Sequence, residues 1–145
     1  MPDNSPKTPS PPPRSSAKAG PLDGRPRVLV VDDDALLLRS LQRLLCHDFD
    51  VVVAVSGERA IEIVTADGRF DAVVCDFCLG EMNGLDLCDE LPKHLGSRVL
   101  FMSGGASSRR ARIFADEHPE RVLVKPAKPD TLRAAIWRIV SEARR

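Results

Sequence analysis

The chain has 145 residues with 21 basic and 21 acidic side chains, so its formal net charge at pH 7 is zero. This balance gives no electrostatic reason to expect direct nucleic-acid binding. No apolar run reaches the roughly 18 residues that a membrane helix needs, and the start of the chain lacks the pattern of a signal peptide. We therefore expect a soluble, cytoplasmic protein with one domain and no membrane insertion.

Residues 1–26 differ in composition from the rest of the chain. They hold eight of the twelve prolines, and their only large apolar side chains are Met1 and Leu22. Such a segment buries too little apolar surface to offset its ordering entropy, so we expect a disordered Pro-rich tail followed by a folded domain over residues 27–145. The stretch PSPPPR has the composition of a polyproline ligand, and a plain linker is the alternative interpretation.

Five short, Val-rich runs follow the tail, and none of them alternates between apolar and polar residues. This is the pattern of strands that are buried on both faces of a parallel sheet. The runs cover residues 28–31, 51–55, 72–75, 99–102 and 122–124.

Amphipathic segments separate these runs, and each has the spacing of a helix. Asp34 is placed to cap the first, Ser56 precedes the second, and the third surrounds Leu85. The fourth covers roughly residues 108–116. The last begins at Pro129, a residue that the first turn of a helix tolerates. Alternation of this kind predicts a doubly wound α/β fold of the (βα)5 type, with a central five-stranded parallel sheet.

Polar side chains follow four of the predicted strands at their carboxyl ends, where sheets of this kind bind ligands. Clustered carboxylates suit Mg²⁺, whereas an ammonium and a hydroxyl suit phosphoryl oxygens. One carboxylate can also attack phosphorus to give an aspartyl phosphate. The sequence therefore predicts a magnesium and phosphoryl site in which the metal compensates the acidic turn. Its side chains are Asp32, Asp33, Asp76, Ser103 and Lys125.

Four segments in this order resemble the motifs of response-regulator receiver domains, the CheY-like family: VLVVDDD, VVCDF…MNG, MSGG and VLVKP. The resemblance extends from residue 27 to about residue 142. It implies a flavodoxin/CheY-like fold and a phosphoacceptor role for Asp76 in a two-component system. The phosphoryl group would come from a sensor histidine kinase or a phosphotransfer protein.

The resemblance also assigns roles to the other residues of the site. It implies that Asp33, Asp76 and the main-chain carbonyl of Cys78 bind Mg²⁺ directly, while Asp32 acts through water. Ser103 would donate a hydrogen bond to the phosphoryl group, and Lys125 would form an ion pair with it. The peptide bond before Pro126 would be cis, which would orient the lysine.

Three departures from the family pattern concern four positions. Gly80 stands where a proline is frequent, and Val122 stands where the family has the aromatic residue of its switch. Cys78 and Gly105 occupy positions where polar side chains often tune hydrolysis of the aspartyl phosphate, so its lifetime cannot be transferred from relatives. Because residue 122 has no ring, we predict that the signal appears in the segment SGGASSRR after the fourth strand.

Other interpretations remain open at this point. Cys75 and Cys78 spell a C-x-x-C pair, which could indicate redox chemistry, although Cys75 lies inside a predicted strand. The stretch VVDDDAL loosely resembles haloacid-dehalogenase phosphatases, although only isolated Asp130 and Glu142 follow Lys125 where that family needs a second acidic pair. A receiver that only binds is the third possibility, and the full set of site residues argues against it.

Few residues follow the last predicted helix, so we expect no attached output domain. The output would then pass through contacts with an unknown downstream protein target, and the chain would be a signalling phosphoacceptor rather than an enzyme for an external metabolite. Arg109, Arg110 and Arg112 could contact an acidic partner, but arginines near the start of a helix are more often a solvated face.

Overall fold

The computed structural model describes residues 24–105 and 108–144. The predicted tail, up to residue 23, lies outside these residues. The strands in chain order are β1 (Arg27–Val31), β2 (Asp50–Ala54), β3 (Ala72–Asp76), β4 (Cys78–Leu79), β5 (Met82–Asn83), β6 (Val99–Ser103) and β7 (Val122–Val124). The helices are α1 (Ala35–Leu45), α2 (Gly57–Ala66), α3 (Gly84–Glu90), α4 (Lys93–Gly96), α5 (Arg109–Glu117) and α6 (Pro129–Ala143), with a 3-10 turn at Pro119–Arg121.

Five of the strands form one parallel sheet in the order β2-β1-β3-β6-β7, and β4 and β5 form a separate antiparallel hairpin. The predicted doubly wound α/β fold with a central five-stranded parallel sheet is therefore confirmed. No helix among the described residues is long and apolar enough to cross a bilayer.

The helices begin where the sequence supplies side-chain caps. Asp34 accepts hydrogen bonds from the backbone N–H groups of Leu36 and Leu37, at 3.1 and 3.2 Å, as predicted for a cap. The hydroxyls of Ser56 and Ser108 cap α2 and α5 in the same way. These bonds satisfy donors that the first turn of a helix leaves without a partner.

Helices cover both faces of the sheet and create two apolar clusters. One lies between the sheet and α1 with α6, and includes Val30, Leu38, Phe49, Leu100 and Ile136. The other lies between the sheet and α2, α3 and α5, and includes Val31, Phe77, Leu85, Phe101 and Ala111. Burial of these side chains supplies the main driving force of folding.

We predicted that all five strands are buried on both faces, and this prediction is wrong at the edge of the sheet. Every residue of β1 and β3 is buried, but Val124 in β7 has 69% of its surface exposed. Val55, which we expected in β2, follows the strand and is also exposed. An edge strand has a neighbour on one side only, so its side chains receive less cover.

A charged cluster closes the amino end of the sheet. Arg27 is buried, its guanidinium lies 3.2 Å from Asp67 Oδ2, and its charged head lies 4.4 Å from the ring centroid of Phe70. The backbone N–H of Arg27 donates to Asp71 Oδ2 at 2.9 Å. These contacts tie the start of β1 to the segment between α2 and β3, at the end of the sheet opposite to the predicted site.

Candidate functional site

Three carboxylates meet at the carboxyl end of the sheet. Because β1 and β3 are neighbours in parallel register, Asp32 follows β1 directly beside the end of β3 at Asp76. Oxygens of Asp32, Asp33 and Asp76 all lie within 4.8 Å of one another. Asp32 and Asp76 are buried at 3% and 8% exposure, whereas Asp33 faces solvent. Hard oxygen ligands with one open side fit Mg²⁺, which keeps several waters and binds phosphate oxygens.

Lys125 connects two of these carboxylates. Its Nζ lies 2.7 Å from Asp76 Oδ2 and 3.0 Å from Asp32 Oδ2. The backbone N–H of Lys125 donates to the carbonyl of Ser103 at 2.7 Å, and the Lys125–Pro126 peptide bond is cis. The cation therefore offsets part of the negative charge that the acidic turn gathers.

The same contacts shift the protonation equilibria of the buried groups. Burial raises the pKa of Asp32 above its usual value, against the hydrogen bond from the backbone N–H of Asp34 (2.9 Å) and the attraction of Lys125. Burial acts to lower the pKa of Lys125, but its bonds to Asp76 and Asp32 outweigh that effect and the pKa is raised. Lys125 is therefore a cation at neutral pH.

Both oxygens of Asp76 have a hydrogen-bond donor. Lys125 holds Oδ2, and the backbone N–H of Cys78 donates to Oδ1 at 3.1 Å. The loop is fixed further along by the N–H of Gly84, which donates to the carbonyl of Phe77 at 2.8 Å. This places the main chain of Cys78 next to the carboxylate; a role of its carbonyl as a metal ligand stays a prediction.

Gly84 is a site residue whose role the sequence did not reveal. A Cβ at this position would lie 2.5 Å from the carbonyl oxygen of Asp76 and 3.2 Å from Cys75 Sγ. Only a glycine therefore lets the start of α3 pack directly against the backbone of Asp76. The quoted segment MNG contained this residue, but spacing alone does not show that a backbone lies so close.

Ser103 lies at the carboxyl end of β6, the strand beside Asp76. Its side chain is half-buried, and its hydroxyl accepts a hydrogen bond from the N–H of Gly105 at 3.5 Å. Gly105 has a φ of +107°, a conformation that side chains other than glycine rarely adopt. The structure thus brings the predicted hydroxyl to the same rim, and its bond to a phosphoryl group stays a prediction.

The cysteine pair lacks the features of a redox site. Cys75 is buried, its thiol lies 3.2 Å from the carbonyl of Asp76, and burial raises its pKa well above the usual value. Cys78 is exposed, and both residues are free cysteines. A thiol that resists ionisation inside a strand is a poor nucleophile, so the geometry disfavours the redox interpretation.

Comparison with known proteins decides the family. The sequence model of the response regulator receiver domain matches residues 28–137. The chain belongs to this family.

Curated relatives agree with this assignment. The two-component response regulator ORR3 of Oryza sativa is 30% identical over 119 residues, which cover 79% of this chain and 91% of ORR3. The DNA-binding response regulator MtrA of Mycobacterium tuberculosis is 32% identical over 113 residues, covering 77% of this chain and 49% of MtrA. The receiver thus spans about half the length of MtrA.

Solved structures show the same fold. The receiver domain protein from Clostridium thermocellum aligns with a TM-score of 0.73 at 25% identity, covering 82% of this chain and 97% of that one. The CheY-like receiver from Methanospirillum hungatei aligns with a TM-score of 0.72 at 22% identity, covering 83% of this chain and 98% of that one, and this second likeness supports the fold alone. Between the receiver and the phosphatase interpretations of the segment VVDDDAL, the family match selects the receiver.

Proposed function

We propose that this receiver domain accepts a phosphoryl group on Asp76 in a Mg²⁺-dependent reaction, and that phosphorylation changes its contacts with another protein. The observation that carries the proposal is the position of Lys125. Its ammonium bonds to Asp32 and Asp76, beside a third, exposed carboxylate at Asp33. A cation next to a buried acceptor and an acidic metal site is the arrangement that phosphoryl transfer needs.

The metal would be held by Asp33, Asp76 and the carbonyl of Cys78, with Asp32 acting through water. When bound, Mg²⁺ offsets the negative charge on the phosphoryl oxygens and on the attacking carboxylate. The buried Asp32 keeps Lys125 close to the acceptor through its 3.0 Å bond. The N–H of Cys78 fixes the rotation of the Asp76 carboxylate, so that it approaches the donor in a single orientation.

The donor would be a phosphohistidine of a sensor histidine kinase or a phosphotransfer protein. A carboxylate oxygen of Asp76 attacks phosphorus, the new O–P bond forms, and the N–P bond breaks with its electron pair left on the donor's imidazole. Lys125 then shifts from the carboxylate to a phosphoryl oxygen, and the Ser103 hydroxyl donates to another. Water later cleaves the aspartyl phosphate to carboxylate and inorganic phosphate. The receiver thus catalyses only its own phosphorylation and dephosphorylation.

The output would be a change in protein contacts at surfaces near the site, with a downstream protein target as the partner. The aspartyl phosphate carries a charge of about −1.5 to −2 in place of the single negative charge of the carboxylate, on a larger group with more acceptor oxygens, which is enough to alter how neighbouring loops pack.

Acetyl phosphate tests the proposal without a cognate kinase. We expect intact-mass measurement to show one added phosphoryl group on the wild type with Mg²⁺ and none with EDTA. Asp76→Asn should stay unmodified. Asp34→Asn is the matched control: it lies on the same rim, asparagine also caps a helix, and it should label like the wild type. Equal labelling of Asp76→Asn, or labelling that ignores Mg²⁺, would overturn the assignment.

A further inference from the structure

Three phenylalanine rings connect the phosphoacceptor strand with α5. The rings of Phe77 and Phe101 are stacked, with centroids 4.8 Å apart and planes inclined by 12°. Phe114 of α5 meets Phe101 edge to face at 5.0 Å and Phe77 at 6.4 Å. Offset stacks and edge-to-face contacts are the favourable geometries for aromatic pairs. The three residues therefore form one continuous group, here called the ring group.

One end of the ring group is tied to the acceptor. Phe77 directly follows Asp76, its N–H donates to the carbonyl of Met102 at 3.0 Å, and its carbonyl accepts from Gly84 at 2.8 Å. Because both its N–H and its carbonyl are hydrogen-bonded, the backbone of Phe77 cannot rotate independently of the loop. A shift of the Asp76 backbone therefore moves the Phe77 ring.

Phe101, the middle ring of the ring group, lies on the same strand as Ser103, whose hydroxyl is predicted to bind the phosphoryl group. Phe101 and Ser103 are two residues apart on β6, so their side chains point to the same face of the sheet. Phe101 also pairs in register with Val122 of β7. Val122 and Phe114 pack against the same apolar cluster. An aromatic ring thus reaches the neighbourhood of residue 122, but it comes from α5 instead of from β7.

The outer end of the ring group holds α5 in place. The Phe114 ring lies 4.8 Å from the ring of His118, and the guanidinium of Arg121 lies 5.2 Å from its centroid. Arg121 also donates to the carbonyls of Val99 and Gly96, which fixes its position.

The remaining attachment of α5 is slight. Ala111 is the one fully buried residue of this helix. On its surface, Arg110 pairs with Asp86 and Asp89 of α3, each at 2.7 Å. Ion pairs this exposed contribute little to stability. Phe114 is therefore the main large apolar side chain that anchors α5 to the sheet, and movement of the ring group would be transmitted to this helix.

We infer that Phe77, Phe101 and Phe114 relay the state of the phosphorylation site to α5. The inference rests on the proposed phosphorylation of Asp76. It assigns the readout to a helix whose exposed side carries Arg109 and Ile113. Because binding coupling is reciprocal, loosening α5 from the ring group must also change the affinity of the site for its ligand.

Hydrogen exchange with beryllofluoride and Mg²⁺, a mimic of the phosphoryl group, tests the relay on the whole chain. In the wild type, we expect beryllofluoride to change exchange in peptides that cover Arg109–Glu117. Phe114→Leu and Phe77→Leu, which remove a ring at either end, should lose most of that change. Phe114→Tyr, which keeps the ring, should retain it. Phe70→Leu is the control matched to Phe77→Leu, because Phe70 is also buried in the same cluster but lies at the amino end of the sheet.

Affinity gives the second measurement. The half-saturating beryllofluoride concentration should change about fivefold or more in Phe114→Leu, at the lower end of typical coupling between sites, and less than twofold in Phe70→Leu. The relay would be overturned if both Phe77→Leu and Phe114→Leu showed the same exchange changes in α5 as the wild type and bound beryllofluoride with unchanged affinity. That result would leave the proposed function intact. Failure of the wild type to bind beryllofluoride or to gain a phosphoryl group would overturn the proposed function, and the relay with it.

Discussion

The Nζ atom of Lys125 lies 2.7 Å from Oδ2 of Asp76, so the cation expected to pair with the phosphoryl group already pairs with its acceptor. The same ammonium holds Asp32 at 3.0 Å. Phosphorylation of Asp76, as proposed, would therefore exchange one partner of Lys125 for another.

Lys125→Met should lower the stability of the fold and increase the stabilisation that Mg²⁺ provides. The substitution removes the ammonium and leaves the buried carboxylates of Asp32 and Asp76 without a cation. In EDTA, where no metal can replace it, the free energy of unfolding near pH 7.5 should fall by about 2–4 kcal/mol. Added Mg²⁺ replaces the lost charge, so it should raise the melting temperature of the variant more than that of the wild type. Thermal unfolding with and without Mg²⁺ measures both effects. Lys128→Met is the control, and equal behaviour of the two variants would refute this role.

Asp33→Asn and Asp34→Asn separate a metal ligand from a helix cap. Removing the charge of Asp33 takes away a like-charged neighbour, so the metal-free variant should be as stable as the wild type or more so. Its Mg²⁺ affinity should fall at least about tenfold, the effect of about 1.4 kcal/mol. Asp34→Asn keeps the cap and should bind Mg²⁺ normally. Calorimetric titration compares the two, and the reverse order of affinities would show that the metal turn is shifted by one residue.

Gly84→Ala should disturb the acceptor loop. The added Cβ would meet the Asp76 carbonyl at 2.5 Å, so the start of α3 must move, and overpacking of this kind costs about 1–3 kcal/mol. Gly104→Ala adds the same methyl group where nothing lies within 4 Å. Urea unfolding should show the loss for residue 84 alone, together with slower labelling by acetyl phosphate. Equal stability of the two variants would contradict the close approach.

The stabilising effect of Asp67 should depend on pH. Burial acts to raise its pKa, but bonds from Arg69 and the charge of Arg27 hold the pKa below its usual value of 3.8. A depressed folded-state pKa adds stability above the unfolded value, and this is lost as the pH falls through the folded value. Asp67→Asn should therefore lose about 1–2 kcal/mol at pH 6, with the difference from wild type shrinking toward pH 3.

Urea unfolding at several pH values measures that difference. The control is Asp130→Asn: Asp130 is fully exposed and its ion pair with Arg133 at 3.2 Å lies at the surface, where such pairs contribute little, so this variant should stay close to the wild type at every pH. A constant difference between Asp67→Asn and the wild type would contradict the link between this carboxylate and the arginines.

The sequence predicted those parts of the fold and the site in which a residue type is typical of one structural position. Val-rich runs predicted all five strands of the parallel sheet, and the residues that follow four of those runs predicted the rim of the site, because strand ends in such a sheet converge by topology. Asp34 was identified as a cap from its position alone. Edge exposure was not predicted, since the composition of β7 matches that of a central strand while its burial depends on its place in the sheet order.

Short elements and contacts between remote segments could not be predicted. The hairpin at residues 78–83 and the four-residue α4 are too short to show a period in the sequence. The bond from Lys125 to Asp32 joins residues 93 positions apart. The ring group has the same origin: Phe77, Phe101 and Phe114 show no common spacing, and packing alone brings them together.

The central claim is that Asp76 itself receives the phosphoryl group, and chemical trapping of the acyl phosphate tests it most directly. Protein treated with acetyl phosphate and Mg²⁺ is reduced with borohydride, which converts a phosphorylated aspartate to homoserine, and the peptides are mapped by tandem mass spectrometry. We predict homoserine at residue 76 alone, and none in a sample treated with EDTA. Homoserine at residue 32 or 33, or at no residue of the acidic site, would contradict the account.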